Sequence, residues 1–275
     1  MSARYEIPAA KLAALLWKRG WMRQERLDEA KQASPEQLVS ALRAYQKFHG
    51  LKIDGWAGPI TERSLNQPRI CALPDRIQVR GGICRWPMKQ ITWSITGGLP
   101  GISNAELRAA YEEAWGYWAE VSDIEPIHTP NARAAHVVMG SGRIDRSGGT
   151  LAWSEMPCEV DESSQLEQRY DNREPWGIAE APGPGQIDLV RVAAHEIGHA
   201  LGIPHLAAGN LLAPTYDPNV RRPKAGDIEE IVRRYGRNEH EPPPPDEEAE
   251  LTIRIQGTIA GLEIPGYRVS RLEQP

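Results

Sequence analysis

Little in this chain of 275 residues points to a disulfide scaffold, a membrane protein or a nucleic-acid binder. Cysteine occurs three times, at Cys71, Cys84 and Cys158, and an odd count is not a disulfide framework. Cys84 and Cys158 are left as either a bridge or two buried thiols. No apolar run is long enough to span a bilayer, which takes about 20 residues. Basic residues form no long run and the net charge is −5, so nucleic acid is not an expected partner. Phenylalanine occurs once against nine tryptophans, which read as core and rim packing rather than as a cleft lining. The amino-terminal stretch lacks a signal peptide's uninterrupted apolar core and small-residue cleavage site, since charges flank residues 12–17. It reads instead as an amphipathic helix with Leu12, Leu15, Leu16 and Trp17 on its apolar face. The apolar content of 40 % suffices for a sizeable core and one to three domains.

The densest chemistry lies in His195-Glu196-Ile197-Gly198-His199-Ala200-Leu201-Gly202-Ile203-Pro204-His205. Residues four apart share a helix face, so His195 and His199 present both imidazoles to one metal ion. Glu196 follows the first ligand and reaches a water beside the metal. Gly202 suits the left-handed turn that ends a helix. Chain reversal there brings His205 in as a third ligand. Three histidines leave a fourth position open, the layout of a catalytic rather than a closed structural zinc site. Glu196 then serves as general base toward water and as proton donor to the leaving amine.

This segment resembles the metzincin signature HExxHxxGxxH, and the order of elements around it resembles the matrixin catalytic domain over most of residues 77–220. Periodicity predicts a strand at 91–95 and a helix at 103–121, with Ser103 as N-cap and Glu106 three residues on. Further strands are expected at 135–139 and 149–154, and a long active-site helix at 187–201. The implied fold class is α+β, a twisted, mostly parallel sheet with an active-site helix, preceded by a small amino-terminal three-helix bundle. The resemblance implies a zinc-dependent metalloendopeptidase acting on proteins or peptides. One zinc would sit on His195, His199 and His205, with Glu196 as the catalytic base.

Asp145 to Ala152 is similar to the family's calcium loop, and Tyr170 to Trp176 to its acidic partner segment. That likeness implies calcium held by the carboxylates of Asp145, Asp171 and Glu174 and the backbone carbonyls of Arg146, Gly148 and Thr150. A second, structural zinc is not expected, because Trp153 and Arg169 stand where two family histidines would be. By resemblance, Leu151 and Ala152 lie on a strand that pairs with extended substrate. Pro214-Thr215-Tyr216 walls the primary specificity pocket, and Leu212 replaces the methionine of the turn beneath the zinc.

Upstream, Ser34-Pro35-Glu36-Gln37 offers a capping box, and Leu38, Leu42, Tyr45 and Phe48 repeat at helical spacing. The string from Tyr45 to Leu65 is similar to the peptidoglycan-binding-like domain, a module used both as a cell-wall anchor and as the propeptide of matrix metalloproteinases. Peptidoglycan is accordingly a candidate partner of residues 1–67. Residues 68–76 resemble the cysteine switch of matrix metalloproteinases, which makes Cys71 a zinc ligand of a latent state. Ala72 replaces the switch glycine, and the inserted Ile70 shifts Arg69 relative to Asp75. The expected organisation is then a peptidoglycan-binding-like domain (1–67), a switch-like linker (68–76), a matrixin-like domain (77–238), an acidic proline-rich linker (239–250) and a short β tail (251–275).

Two rival readings stand beside the protease. One is a wall-directed hydrolase of peptidoglycan peptides, the other a degenerate protease domain that only binds. The resemblance implies an extracellular site of action. With no visible signal peptide, a phage product, another export route or a trimmed chain would each fit.

Overall fold

Apolar spacing and capping residues set the elements, and burial decides which faces meet. The computed structural model describes residues 7–22, 26–67, 69–75, 83–145, 147–158 and 165–238. Pro68, residue 76, Arg146, the linker at 239–250 and the tail at 251–275 lie outside the described residues.

Four helices open the chain: α1 (Ala9–Lys18), α2 (Leu27–Lys31), α3 (Pro35–Phe48) and α4 (Pro59–Asn66). Three are expected from the apolar spacing. The fourth, α2, is a five-residue turn that buries only Ala30, too short to leave a periodic signal. Ser34 caps α3 as its sequence implies: its hydroxyl accepts from Gln37 N (3.3 Å), while its own N–H donates to Gln37 Oε1 (2.9 Å). Leu12, Leu16, Trp21, Leu42, Tyr45 and Leu65 form a core of their own beneath these helices.

The second core lies under a five-stranded sheet. Its strands are β1 (Gln90–Ile95), β2 (Glu125–His128), β3 (Val137–Gly142), β4 (Ala152–Ser154) and β5 (Leu166–Asp171), in the order β2-β1-β3-β5-β4. All pairs are parallel except β4 with β5. Strand β4 is shorter than expected and lies at the edge. Residues before it curl into a loop in which Thr150 N donates to the Asp145 carboxylate (3.0 Å), which removes Thr150 from the ladder. A two-stranded parallel pair, β6 (Trp176–Gly177) and β7 (Ile187–Asp188), precedes the histidine-bearing helix. That pairing takes Ile187 and Asp188 out of the helix, and Asp188 becomes its cap, accepting from Arg191 N at 3.2 Å.

Helix α5 (Asn104–Val121) carries the expected Ser103–Glu106 capping box and packs on α6 (Leu189–Ala200), every residue of which is buried. Trp118 Nε1 donates to Ala194 O at 2.8 Å across this contact. Gly198 makes the close approach feasible: a Cβ there would meet Trp118 and Leu212 side-chain atoms at 2.8 Å. Helix α7 (Ala225–Tyr235), which the sequence reading did not assign, closes the far side through Ile231 and Tyr235. Cys84 and Cys158 are joined in a disulfide that bridges 74 positions, and Cys71 is the one free cysteine. Among the described residues no helix is long and apolar enough to cross a membrane.

Candidate metal centre

Helix α6 places His195 and His199 one turn apart, and a reversal at Gly202 returns the chain to the same point. Gly202 has φ +89°, and a Cβ there would meet the Cys84 carbonyl at 2.1 Å, so both backbone angle and space require glycine. The reversal brings His205 beside the helix pair. One ligand atom from each of Cys71, His195, His199 and His205 lies within 4.8 Å of all the others, and all four residues are buried. His199 Nε2 is 3.1 Å from His195 Nε2, while Cys71 Sγ is 3.5 Å from His199 Nε2 and 3.3 Å from His205 Nε2.

Each imidazole is oriented through its other nitrogen. Nδ1 of His195 faces Leu211 O (2.8 Å), Nδ1 of His199 faces Ile203 O (2.7 Å), and Nδ1 of His205 faces Pro74 O (2.8 Å). A carbonyl only accepts, so each Nδ1 carries the proton and each Nε2 turns a lone pair inward. Burial, reinforced by neighbouring positive charge, holds His195 and His205 well below the usual imidazole range, and burial pushes His199 down to about 4. At neutral pH the three rings are therefore uncharged, the form that binds metal.

The donor set fits zinc. Three imidazole nitrogens and one sulfur match its preferred ligands and coordination number. Burial, and then the charge of Glu196, raises the Cys71 thiol well above its ordinary value, so only a cation at this point would draw it into the thiolate form. Both Glu196 carboxylate oxygens are buried without a hydrogen-bond partner, and burial drives that carboxyl well up. A buried carboxylate left without partners costs several kcal/mol. A cation and a water beside Glu196 would remove that cost.

Sequence reasoning missed Asp227, Trp21 and His49 among the supports around this cluster. Asp227, on α7, accepts from Leu211 N (2.7 Å) and Leu212 N (3.0 Å). It thereby fixes the turn whose carbonyl orients His195 and whose Leu212 side chain lies against Gly198. Asp75 is buried at the end of the switch-like segment. It accepts from Arg69 Nη1 (2.6 Å) and Trp21 Nε1 (2.8 Å) and lies 3.0 Å from His49 Nε2. Burial alone would raise its carboxyl, but the hydrogen bond from His49, the charge of Arg69 and the indole of Trp21 hold it far below the usual range. The inserted Ile70 thus does not separate Arg69 from Asp75. It bulges into the core, fully buried, and its N–H donates to Pro214 O at 3.1 Å. No sequence spacing links Trp21, His49 and Asp227 to a histidine motif, because their partners lie far along the chain.

The segment from Arg69 to Ala72 runs along the edge of the sheet. Leu151 N donates to Arg69 O (3.3 Å), Ala152 N to Ile70 O (3.0 Å) and Ala72 N to Ala152 O (3.2 Å). Cys71 bridges Ala152 in parallel, and Arg69 bridges Thr215 in antiparallel fashion. Tyr216 OH accepts from Asp188 N at 3.1 Å, which ties the wall segment to the start of α6.

The expected calcium ligands are placed differently from the histidines. Asp171 Oδ2 accepts from Ile144 N (3.2 Å) and Asp145 N (3.0 Å), Glu174 Oε1 from Gly148 N (2.7 Å), and Asp145 from Thr150 N. Among the described residues, only the Cys71–histidine group converges tightly enough to qualify as a metal cluster. Trp153 and Arg169 face each other across β4 and β5, with the guanidinium carbon 5.6 Å from the ring centroid, so a cation–π pair occupies that spot.

Residues 85–236 match the family model for Matrixin. The chain is 32 % identical over 244 residues to matrix metalloproteinase-25 of Mus musculus, covering 78 % of this chain and 38 % of that protein. It is 29 % identical over 237 residues to matrix metalloproteinase-25 of Homo sapiens, covering 76 % and 42 % respectively. It is 30 % identical over 202 residues to interstitial collagenase of Equus caballus, covering 70 % and 41 %. The chain therefore spans about two fifths of the length of the curated relatives it matches.

Proposed function

This chain belongs to the matrixin family, and we propose on that premise that it is a zinc metalloendopeptidase in a self-inhibited state. The observation that carries the reading is the convergence of Cys71 Sγ with three inward-facing Nε2 atoms beside the unpartnered Glu196 carboxylate. His195, His199 and His205 would hold the zinc, with Cys71 as the fourth ligand of the latent form. Zinc held there supplies Lewis acidity toward water and toward a peptide carbonyl.

The protein's own groups do the rest. Glu196, kept basic by the cation and close to the attacked bond, takes the proton of the attacking water and delivers it to the leaving amine. The N–H and C=O of Ala152, the N–H of Leu151 and the carbonyl of Pro214 are open to an extended peptide once the Arg69–Ala72 segment leaves. That segment now uses each of them. Tyr216 with Pro214 forms the pocket wall. Asp145, Asp171 and Glu174, with the carbonyls of Arg146, Gly148 and Thr150, would take calcium as a clamp on the loop preceding β4.

Residues 1–67 act in this reading as a propeptide. Trp21 and His49 hold Asp75, and Ala208 N, just past the third histidine, donates to Phe48 O at 3.1 Å. Retention of residues 1–67 on purified cell walls would favour the competing wall-anchor role. The Cys84–Cys158 bridge supports action in an oxidising compartment outside the cytoplasm. The test is zinc content and peptide cleavage by the full chain, by Cys71→Ala, and by Cys71→Ala with Glu196→Gln. All three should bind one zinc, Cys71→Ala should cleave fastest, and the added Glu196→Gln should cut the rate about 10²- to 10⁴-fold. Equal rates with and without Glu196→Gln would overturn the mechanism. Failure to bind zinc would revive the degenerate-binder reading.

A further inference from the structure

The last carbonyls of a helix lack partners within it, and at the end of α6 three groups from outside take them up. Trp86 Nε1 donates to Ala200 O (2.8 Å), Tyr235 OH to Leu201 O (3.1 Å) and Arg234 Nε to Gly202 O (3.0 Å). The third of these is a clamp rather than a single bond. Arg234 Nε also donates to Cys84 O at 3.1 Å, the same oxygen that would meet a Cβ on Gly202 at 2.1 Å. One nitrogen of a buried guanidinium thus joins the carbonyl of Gly202 to that of Cys84, and bonds from a charged donor are the stronger kind. Both ends of the clamp are anchored. Cys84 is disulfide-bonded to Cys158, while Arg234 Nη1 donates to Glu230 O (2.9 Å) and pairs with the Glu230 carboxylate.

What the clamp holds is the joint of the histidine segment. Gly202 turns the chain at φ +89°, and a glycine has no side chain to keep it there. The peptide from Gly202 to Ile203 is held on one side by Ile203 N on Gly198 O (2.9 Å), inside the helix, and on the other by Arg234. Two ligands depend on it. Ile203 O, on the next peptide, orients His199, and His205 follows two residues later. The acceptor of His205 Nδ1 is Pro74 O, so that hold leaves with the latency segment, whereas the clamp on the turn stays. We propose that Arg234 is a positioning residue for the metal centre: by fixing the Gly202 carbonyl it keeps His199 and His205 in place and raises the affinity for zinc. The inference rests on the zinc reading of the Cys71–histidine cluster and deepens it.

The test titrates the full-length chain with zinc against a competing chelator, and with cobalt(II), whose visible spectrum reports ligand geometry. Arg234→Met keeps the length and removes the donors. It should weaken zinc binding by about 10- to 100-fold, the range for groups that orient metal ligands, and alter the spectrum at saturating cobalt. Arg234→Lys should restore part of the affinity. Trp86→Phe, which removes the donor to Ala200 O ahead of the turn, should lower the urea midpoint yet keep the parental spectrum. Parental affinity and spectrum in a folded Arg234→Met protein overturn the proposal. The same spectral change in Trp86→Phe overturns it as well, because it would mark a merely structural loosening of the helix end. If Arg234→Met does not fold, Arg234→Gln, which keeps an N–H donor without the charge, replaces it, and parental affinity there overturns the proposal too. If the parent chain binds no zinc, the zinc reading itself falls, and the proposal with it.

Discussion

Two regions of this protein gather metal-binding residue types, and they spend their lone pairs in opposite ways. At the histidine cluster each ring gives its Nδ1 proton to a backbone carbonyl and keeps Nε2 free toward a common point. At Asp145, Asp171 and Glu174 the carboxylates instead turn onto backbone N–H groups of the loop that precedes β4. The histidines are rigid rings on a buried helix and a glycine turn, and their orientation is enforced by packing before any ion arrives. Asp171 ends β5 and Glu174 follows it, both buried, and their carboxylates are already taken up by the backbone of the loop before β4. A preorganised site is marked by free lone pairs that converge, which residue type alone does not reveal.

The sharpest break of this comparison is in zinc content. His199→Ala should abolish stoichiometric zinc binding, whereas Asp171→Asn should retain one zinc per chain, both read by elemental analysis. Zinc loss from Asp171→Asn would erase the distinction. Next in size is Asp75, a buried carboxylate whose partners are the side chains of Arg69, Trp21 and His49 rather than backbone N–H groups. Asp75→Asn should lower the unfolding free energy by about 3–5 kcal/mol, the cost of breaking a buried ion pair. Urea unfolding measures this, and an unchanged midpoint would show that Arg69 and His49 find other partners.

Acid should act on the two regions with opposite sign. His199 has its folded pKa lowered from 6.5 to about 4, so the unfolded chain binds more protons between those values. The zinc-free protein should therefore lose stability as pH falls from 6.5 toward 4, by about 3 kcal/mol from this residue. Glu174 has its folded pKa raised by burial and then by Asp171 and Asp145, so its share of stability grows as pH falls through that raised value. Melting curves of the parent and of Glu174→Gln across this range separate the two. A steeper acid loss in Glu174→Gln is the expected result, and parallel curves would remove Glu174 from the account. The smallest effect is that of calcium. A hundredfold excess over its dissociation constant should stabilise the parent by about 2.7 kcal/mol, and Asp171→Asn by less. Equal thermal shifts would mean that these carboxylates serve only the backbone.

Much of the fold was legible because its signals are local. The capping pairs Ser34–Gln37 and Ser103–Glu106, the strand over residues 91–95 and the histidine helix each rest on spacing within one or two turns. The short α2 left no periodic signal, whereas α7 carried one that went unassigned, Ile228, Ile231, Val232 and Tyr235 at helical spacing before Gly236. Strand β4 shrank because Asp145, several residues upstream, captured Thr150 N. Cys84 and Cys158 could not be paired from an odd cysteine count, and the fold brought them together across 74 positions.

The sequence by itself determined the three histidines, Glu196 and the turn glycine Gly202, because metal geometry and helical periodicity act over a few residues. It also marked Cys71 as the sulfur that could reach them. Tertiary structure alone decided that Asp227 would hold the turn under the cluster, that Trp21 and His49 would join Arg69 on Asp75, and that Arg234 would join Gly202 to Cys84. Those contacts join residues far apart in the chain, and burial, which sets how much each of them matters, exists only once both cores have closed.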